Sequence, residues 1–320
     1  MSMISLMSPL SPLKVREMNS ELKIGLALGS GAARGMSHIG IINALAEIGI
    51  EPKIICGTSV GSLVGAAYAA GRLKKLESWA RSLTRLDVAR FIDINTSFTG
   101  FVDKDRMHDF LNQHVASDDA VIEDLPKAYA SVATDLANGR EVWLNEGSLI
   151  QSVWASMSLP GLFPAIKHNN SWLVDGGLVN PVPVSACRAM GADIVIAVNL
   201  NGDIVGKHLE RANGRKRIGN GVGDKLNELV KEYTNISLFE DRDEVDQPPS
   251  LLDAIAASVN ICQDRITRSR MAGDPPDIML RPKLSDIGLL ELYRSDEAIE
   301  EGMKCVERLR SEVEYVMERA

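Results

Sequence analysis

The sequence predicts an α/β fold, built on a mainly parallel, doubly wound sheet with helices on both faces and a C-terminal helical extension. Short apolar runs alternate with helical patterns between residues 23 and 200. Residues 193–200 predict a strand around the continuous apolar run 194–198, which is typical of a strand buried on both faces of a parallel sheet. Gly49 and Gly71 follow the first two helical patterns and predict where those helices end.

The predicted elements alternate along the chain as this fold requires. In order, they are strand 23–28, helix 36–48, strand 53–56, helices 60–70 and 73–83, strands 127–135 and 140–145, helix 149–157 and strand 193–200. Asn138-Gly139 predicts a tight hairpin turn between the two strands that flank it.

The remaining segments define the expected domain organisation. Residues 1–22 predict a flexible tail because they show little regular pattern, and an upstream start site is the alternative interpretation. They lack the apolar core and the cleavage site that would predict a signal peptide. Residues 201–250, rich in charge and glycine, predict an irregular, partly mobile insertion. Residues 251–320 predict helix 251–271, strand 277–280 and a long helix 295–319 with one apolar face, which complete the same domain as residues 23–200.

Composition restricts the classes of partner. The net charge is −8, from 35 Lys and Arg against 43 Asp and Glu, which argues against broad binding of nucleic acid or anionic membranes. A basic run at residues 207–217 is interpreted as a solvated loop, with a local basic patch as the alternative. Four widely spaced cysteines form no C-x-x-C pair. Cys56 ends a predicted strand and Cys187 and Cys262 lie in helical patterns, so we expect buried free thiols in a reducing cytoplasm. No apolar stretch reaches the roughly 18 residues of a membrane span.

One serine stands between a predicted strand and a predicted helix. Gly57-Thr58-Ser59-Val60-Gly61 has the form G-x-S-x-G, in which a sharp turn lifts the serine hydroxyl out of the chain. The glycines, Gly57 and Gly61, remove Cβ atoms that would block this turn. Ser59 is therefore a candidate nucleophile, and the alternative is a turn whose serine only caps the helix.

A second glycine-rich loop joins the first predicted strand to the first predicted helix, with the sequence Gly29-Ser30-Gly31-Ala32-Ala33-Arg34-Gly35. Its small residues let backbone N–H groups converge, and the start of the helix adds the positive end of its dipole. A dinucleotide site would need a third glycine where Arg34 stands, and a Walker loop would need G-K-[ST]. An oxyanion hole fits best because the candidate nucleophile follows one strand later, and a turn without a ligand is the alternative.

A third motif contains a single acidic residue. Asp175 ends a short apolar run and is followed by Gly176 and Gly177. A carboxylate in this position can project towards a neighbouring loop. The alternative is an ordinary Asp-Gly turn.

Taken together and in this order, the three motifs resemble those of the patatin-like phospholipase family, which includes bacterial proteins related to neuropathy target esterase. Residues 29–35, 57–61 and 175–177 match its oxyanion loop, its nucleophile elbow and its D-G-[AG] motif. Residues 158–164 resemble the stretch before the family's aspartate, and residues 271–277 suggest the bacterial RssA-like subgroup. The match covers about residues 23–200.

The chain departs from the family in this oxyanion loop, where Ser30-Gly31-Ala32 replaces three successive glycines. A backbone position with positive φ would tolerate such a replacement poorly, whereas a position with negative φ would keep its N–H group in place.

The resemblance implies a serine hydrolase of lipid or phospholipid acyl esters, with residues 23–200 as its catalytic domain. Ser59 and Asp175 would form a Ser–Asp dyad that works through an acyl-enzyme. The oxyanion or substrate would be bound by residues of the two loops, namely Gly29, Ser30, Gly31, Ala32, Arg34, Gly35 and Val60. Arg34 is expected to brace the loop, or to meet a phosphate or carboxylate.

We expect no cofactor, no metal and no nucleic-acid partner, and the oligomeric state is left open. The protein is expected in the cytoplasm, with transient contact to the inner face of the membrane. Alternatives are a non-lipid carboxylesterase or thioesterase, or a weakly active regulatory binding protein. A Ser–Asp–His triad would need His208, the one histidine after Asp175. Residues 91–103, with three phenylalanines, are interpreted either as a flap over an acyl site or as an ordinary loop.

Overall fold

The computed structural model describes residues 22–91, 104–202 and 251–320. Its strands are β1 Ile24–Leu28, β2 Ile54–Thr58, β3 Ala128–Asp135, β4 Glu141–Leu144, β5 Ile166–His168, β6 Ser171–Asp175, β7 Ile194–Val198 and β8 Ile278–Leu280. Its α-helices are α1 Ser37–Glu47, α2 Val60–Ala69, α3 Leu73–Ser82, α4 Arg85–Phe91, α5 Lys104–His114, α6 Leu149–Met157, α7 Val184–Ala189, α8 Leu251–Gly273, α9 Ser295–Arg308 and α10 Arg310–Arg319.

The described strands form one eight-stranded sheet in the order β5-β6-β3-β2-β1-β7-β8, with β4 also paired to β3. Strands β3, β2, β1, β7 and β8 run parallel to one another. Strands β4 and β6 run antiparallel to β3, and β5 runs antiparallel to β6. The predicted mainly parallel sheet is therefore confirmed, as is the hairpin formed by β3 and β4.

The central strands are buried because both faces of the sheet are covered by helices. Alternate side chains of a strand point to opposite faces. Leu26 and Ile55 thus join the larger apolar core, which also contains residues of α1, α2 and α9. Ala27 and Cys56 join a smaller core with residues of α7. This two-sided burial explains why the strands are continuously apolar, and it confirms the doubly wound class.

The C-terminal helices pack onto this core. Helix α9 lies so close to α1 that a Cβ atom at Gly40 would be 1.9 Å from the carbonyl oxygen of Ile299. The prediction of one long helix over residues 295–319 is wrong. The backbone leaves helical geometry at Leu309, with φ −107° and ψ 8°, and α10 begins at Arg310.

Four described elements have no counterpart among the predicted ranges, namely α4, α5, α7 and β5. Cys56 and Cys187 are buried as expected, whereas Cys262 on α8 is exposed. The predictions for residues 1–21, 92–103 and 203–250, including the basic run and His208, lie outside the described residues. None of the helices within the described ranges is long and apolar enough to span a bilayer.

Candidate active site

Ser59 occupies the turn between β2 and α2, and its backbone is strained. Its φ of 56° and ψ of −125° lie in a region that side chains disfavour. Neighbouring groups hold this geometry. The Ser59 N–H donates to Ser156 Oγ at 2.9 Å, and Thr58 Oγ1 donates to the carbonyl oxygen of Asn180 at 2.8 Å. A Cβ atom at Gly57 would lie 2.4 Å from the carbonyl oxygen of Gly61, and one at Gly61 would lie 2.1 Å from that of Leu28, so the predicted elbow needs both glycines.

Asp175 ends β6 and faces the elbow. Its Oδ2 accepts a hydrogen bond from Ser59 Oγ at 2.6 Å, and its Oδ1 accepts one from the Gly177 N–H at 2.7 Å. Its main-chain carbonyl accepts a third bond from Thr134 Oγ1 at 2.8 Å. Both carboxylate oxygens therefore have donors, and the side chain is held against Ser59. The next motif residue, Gly176, lies against β3, because a Cβ atom there would be 2.1 Å from the carbonyl oxygen of Val132.

Burial alters the acidity of this carboxyl group. Asp175 is 1% exposed, and burial raises its pKa to about 6, although the hydrogen bonds from Ser59 and Gly177 act in the opposite direction. A carboxylate of this pKa is ionised at neutral pH and is a stronger base than an exposed one. Among the described residues, no histidine hydrogen-bonds to the carboxylate of Asp175.

Two amides of the glycine-rich loop are engaged by the fold. The Gly29 N–H donates to the carbonyl oxygen of Val198 at 3.1 Å, and the Ser30 N–H donates to that of Pro181 at 2.9 Å. Neither amide is available as an oxyanion donor. Ala32 is the first residue of a 3₁₀ helix, Ala32–Met36, whose first N–H groups have no partner within the helix. The Ala32 amide thus remains a candidate donor, as does that of Val60 at the start of α2.

Arg34 is fully buried behind this loop and braces it. The Arg34 Nε donates to the carbonyl oxygen of Gly31 at 3.1 Å, and its main-chain N–H donates to the same oxygen at 3.3 Å. In a trans peptide the carbonyl and the next N–H point in opposite directions. By holding the Gly31 carbonyl, Arg34 therefore turns the Ala32 N–H away from itself.

The charge of Arg34 is retained despite its burial. Burial lowers the pKa of Arg34 to about 10, which leaves the guanidinium protonated at neutral pH. Across the described part of the chain, no carboxylate forms a salt bridge with it.

Gly35, the next residue, lies against Val60, because a Cβ atom at Gly35 would be 2.2 Å from Val60 Cγ1. The glycine-rich loop and the elbow are thus in direct contact.

The departures from the family's glycines differ in their effect on the backbone. Ala32 has a φ of 50°, and Ser30 is not among the described residues with positive φ. An alanine in the left-handed region costs on the order of 1–2 kcal/mol relative to the right-handed one. Ala32 therefore adopts a left-handed backbone conformation that is sterically unfavourable for alanine, whereas the backbone of Ser30 has no such strain.

An apolar cavity of about 110 Å³ opens beside Ser59. Most of its wall consists of aliphatic and aromatic side chains, including those of Met36, Leu63, Met107, Phe110, Leu162, Phe163 and Leu290. Ala32 and Val60 also line it, so the two candidate oxyanion donors and the serine face one space. Such a cavity suits a hydrocarbon chain and offers few groups that could bind a polar one.

Sequence reasoning missed the residues that support these loops from other elements. Ser156 supports the elbow from α6, and polar side chains of α8 contact the loops near Ser30, Arg34 and Gly177. A signal for the latter was present, because four polar residues of α8 recur at the spacing of one helix face. All four are buried, namely Asn260, Gln263, Asp264 and Thr267.

Within the described ranges, no group of three or more His, Cys, Asp or Glu side chains could hold a metal ion.

An α/β sheet that carries a serine on a strand-to-helix elbow, with a buried acid at its hydroxyl and an apolar cavity beside it, has the architecture of a carboxylic ester hydrolase. The chain belongs to the patatin-like phospholipase family, whose model matches residues 26–188. The resemblance inferred from the three motifs is confirmed, and the family places the protein among enzymes that hydrolyse lipid acyl esters.

Individual relatives extend the similarity beyond this range. Uncharacterized NTE family proteins of Mycobacterium tuberculosis and Mycobacterium bovis are 30% identical over 338 residues, covering 91% of this chain and 91% of theirs. The lysophospholipase nte1 of Aspergillus oryzae is 31% identical over 304 residues. That alignment covers 90% of this chain but only 18% of the fungal protein.

Proposed function

We propose that Ser59 and Asp175 form a catalytic dyad that hydrolyses lipid acyl esters through an acyl-enzyme intermediate. The observation that carries this proposal is the 2.6 Å hydrogen bond from Ser59 Oγ to Asp175 Oδ2, beside an apolar cavity. Serine needs an adjacent base to act as a nucleophile at neutral pH. Asp175 is the acceptor of the hydroxyl proton, and its raised pKa suits it to this role.

The reaction proceeds in two acyl-transfer steps. Asp175 Oδ2 takes the hydroxyl proton as Ser59 Oγ attacks the ester carbonyl, and the resulting oxyanion accepts hydrogen bonds from the amides of Ala32 and Val60. Collapse of this intermediate breaks the ester bond, and Asp175 returns the proton to the departing alcohol. Water then attacks the acyl-serine, Asp175 accepts its proton, and the carboxylic acid leaves while Ser59 regains its hydrogen.

The shape of the cavity supports a hydrocarbon acyl group as the part of the substrate that binds there. Leu290 lines this cavity and is nevertheless 43% exposed, so it stands at the opening. We propose that this opening receives acyl chains from a lipid surface. The NTE1 relatives carry the name lysophospholipase, which supports a phospholipid with one acyl chain as the substrate to test first.

The proposal is tested with a fluorophosphonate probe, which labels an activated serine rapidly, and with p-nitrophenyl acetate and decanoate as soluble substrates. The unmodified protein should be labelled and should prefer the decanoate. Ser59→Ala should lose both labelling and turnover. Labelling of Ser59→Ala at the full rate, or no labelling of the unmodified protein, would contradict the dyad and favour a regulatory protein that retains the fold.

A second variant tests the acyl cavity. Leu162 lines it and is only half-buried, so a larger side chain there can be accommodated by the fold. Leu162→Trp should lower kcat/KM for the decanoate by about tenfold and leave the acetate within about twofold, because only the longer chain needs the space. An equal effect on both esters would show that the acyl chain binds elsewhere.

A further inference from the structure

We infer that Gln263, on helix α8, is a positioning residue that holds the oxyanion loop and the Asp175 turn in their mutual arrangement. The inference rests on the proposed dyad. Helix α8 begins at Leu251, far beyond residue 188, where the match to the family model ends. The contacts of Gln263 are therefore made by a part of the chain that the family motifs do not include.

The first contact joins Gln263 to the oxyanion loop. Ser30 Oγ donates to Gln263 Oε1 at 3.0 Å, and Asn201 Nδ2 donates to the same oxygen at 2.8 Å. All three residues are buried. A buried hydrogen bond between side chains constrains both partners, because leaving either one unpaired costs about 1–3 kcal/mol.

This contact gives a role to one of the departures from the family's glycines. A glycine at position 30 could not make the bond, whereas the Ser30 hydroxyl turns towards α8 and its N–H remains bonded to the carbonyl of Pro181. Main chain and side chain of Ser30 are both held. The position of the next residue, Gly31, and of the Ala32 amide therefore depends on α8.

The second contact joins Gln263 to the Asp175 turn. A Cβ atom at Gly177 would lie 2.4 Å from Gln263 Nε2, so the amide group of Gln263 packs directly on the Gly177 backbone. The N–H of Gly177 is the donor to Asp175 Oδ1. One side chain thus contacts both the loop that carries the oxyanion donor and the turn that orients the base.

A neighbouring residue on the same face of α8 supports the loop from its other side. Asn260 lies three residues before Gln263, and its Oδ1 accepts a hydrogen bond from Arg34 Nη2 at 3.0 Å. Arg34 in turn holds the carbonyl of Gly31. Helix α8 therefore fixes residues on both sides of the Gly31–Ala32 peptide, and Gln263 is the member of this pair that also reaches the acid.

The test uses the full chain with Gln263→Leu, Ser30→Ala, the double variant and Ser258→Ala as a matched control. Ser258 is on the same helix but is exposed, and its hydroxyl donates to the carbonyl oxygen of Ala254 one turn earlier in that helix. Turnover of p-nitrophenyl decanoate is measured well below the unfolding temperature. Each single change should lower kcat by about 10- to 100-fold with KM within about twofold, because small displacements of catalytic groups have effects of this size.

Two readouts distinguish positioning from a general loss of stability. The double variant should be no slower than the slower single variant, because Gln263→Leu already removes the hydrogen bond that Ser30→Ala removes. In Gln263→Leu, the Gly177 turn should loosen and its hydrogen bond to Asp175 Oδ1 should weaken. Because this bond favours the ionised carboxylate, its weakening raises the pKa of Asp175, and the acidic limb of the kcat/KM profile should move to higher pH. Ser258→Ala should match the unmodified protein in both measurements.

Several results would overturn the inference. Gln263→Leu with an unchanged kcat and pH profile would do so, as would fully multiplicative losses in the double variant. If Gln263→Leu fails to unfold cooperatively, Ser30→Ala and Ser30→Gly test the same bond from its other end, and an unchanged kcat in both contradicts it. Activity that survives in Ser59→Ala would instead refute the proposed dyad, independently of any result at Gln263.

Discussion

Ser59 and Asp175 are 116 positions apart in the chain, yet their side chains meet at 2.6 Å because Thr58, directly before the serine, and Asp175 pair with consecutive residues of β3. Val132 pairs in parallel with Thr58, the last residue of β2, and Ala133 pairs in antiparallel with Asp175, the last residue of β6. The junction between the parallel and antiparallel parts of the sheet thus brings the serine and the acid together. A shift in either register would separate them.

The strain at Ser59 predicts that a glycine there stabilises the protein. A side chain at φ 56° and ψ −125° costs about 1–3 kcal/mol, which glycine does not incur. Ser59→Gly should therefore unfold at a higher temperature than Ser59→Ala, although neither variant hydrolyses esters. Thermal unfolding followed by circular dichroism checks this, with Ser59→Ala as the matched control that keeps the strain. Equal unfolding temperatures would show that the turn is relaxed in solution.

The pKa of Asp175 predicts the acidic limb of activity. A base must be deprotonated to accept the serine proton, and burial raises the pKa of this carboxyl group to about 6. The kcat/KM for a soluble ester should therefore fall as the pH decreases through about 6, since kcat/KM reports the free enzyme. The measurement is a pH–rate profile with p-nitrophenyl acetate. A limb near the ordinary value for aspartate, about 4, would mean that another group controls the reaction.

The same pKa predicts how Asp175 affects stability. A carboxyl group whose pKa is higher in the folded than in the unfolded state favours folding below about pH 4, and this contribution is lost as the pH rises through about 6. Asp175→Asn has no charge to bury. It should exceed the unmodified protein in free energy of unfolding by on the order of 2 kcal/mol at alkaline pH, and by little near pH 4.

Urea denaturation of both proteins across this pH range tests the effect of Asp175 on stability. Ser59→Ala serves as the comparison, because it keeps the carboxyl group but removes the hydrogen bond that lowers its pKa, so its stability should depend on pH at least as strongly as that of the unmodified protein. A gap between Asp175→Asn and the unmodified protein that stays constant with pH would show that packing, and not ionisation, distinguishes the two side chains.

Two further substitutions separate a dyad from a triad. Asp175→Asn should reduce kcat about as much as Ser59→Ala, because groups that act as one unit are not additive. His208→Ala should leave kcat within about twofold, since a dyad uses no imidazole. Both variants are compared with the unmodified protein in the decanoate assay, with the fold checked by circular dichroism. A large loss in a folded His208→Ala variant would favour the triad.

Local patterns predicted the elements whose formation depends on a few adjacent residues. The elbow is encoded by Gly57 and Gly61 around Ser59, since glycines at this spacing allow a turn that other residues would block. The parallel strands were predicted because burial on both faces makes each of them apolar without alternation. In the same way, Gly49 has a φ of 80°, as expected where a helix ends.

Patterns that fit two structures could not be resolved from the sequence. The apolar residues before and after Leu309 keep one helical spacing, which suits both a single helix and two helices that change direction there. The packing of α9 on α1, and of α10 near β8, determines which one forms. Strand β5 has only three residues and is defined by its pairing with β6, so it has no pattern of its own.

The sequence by itself determined the α/β class, the serine on its elbow and the glycine-rich loop, because each is specified by neighbouring residues. The role of Asp175 came only from a resemblance to a family. The tertiary structure alone decided that Asp175 Oδ2 meets Ser59 Oγ, that the amides of Gly29 and Ser30 are engaged, and that α8 contacts both the glycine-rich loop and the turn after Asp175. These relationships join residues more than eighty positions apart, and they depend on sheet register and helix packing, which no local pattern encodes.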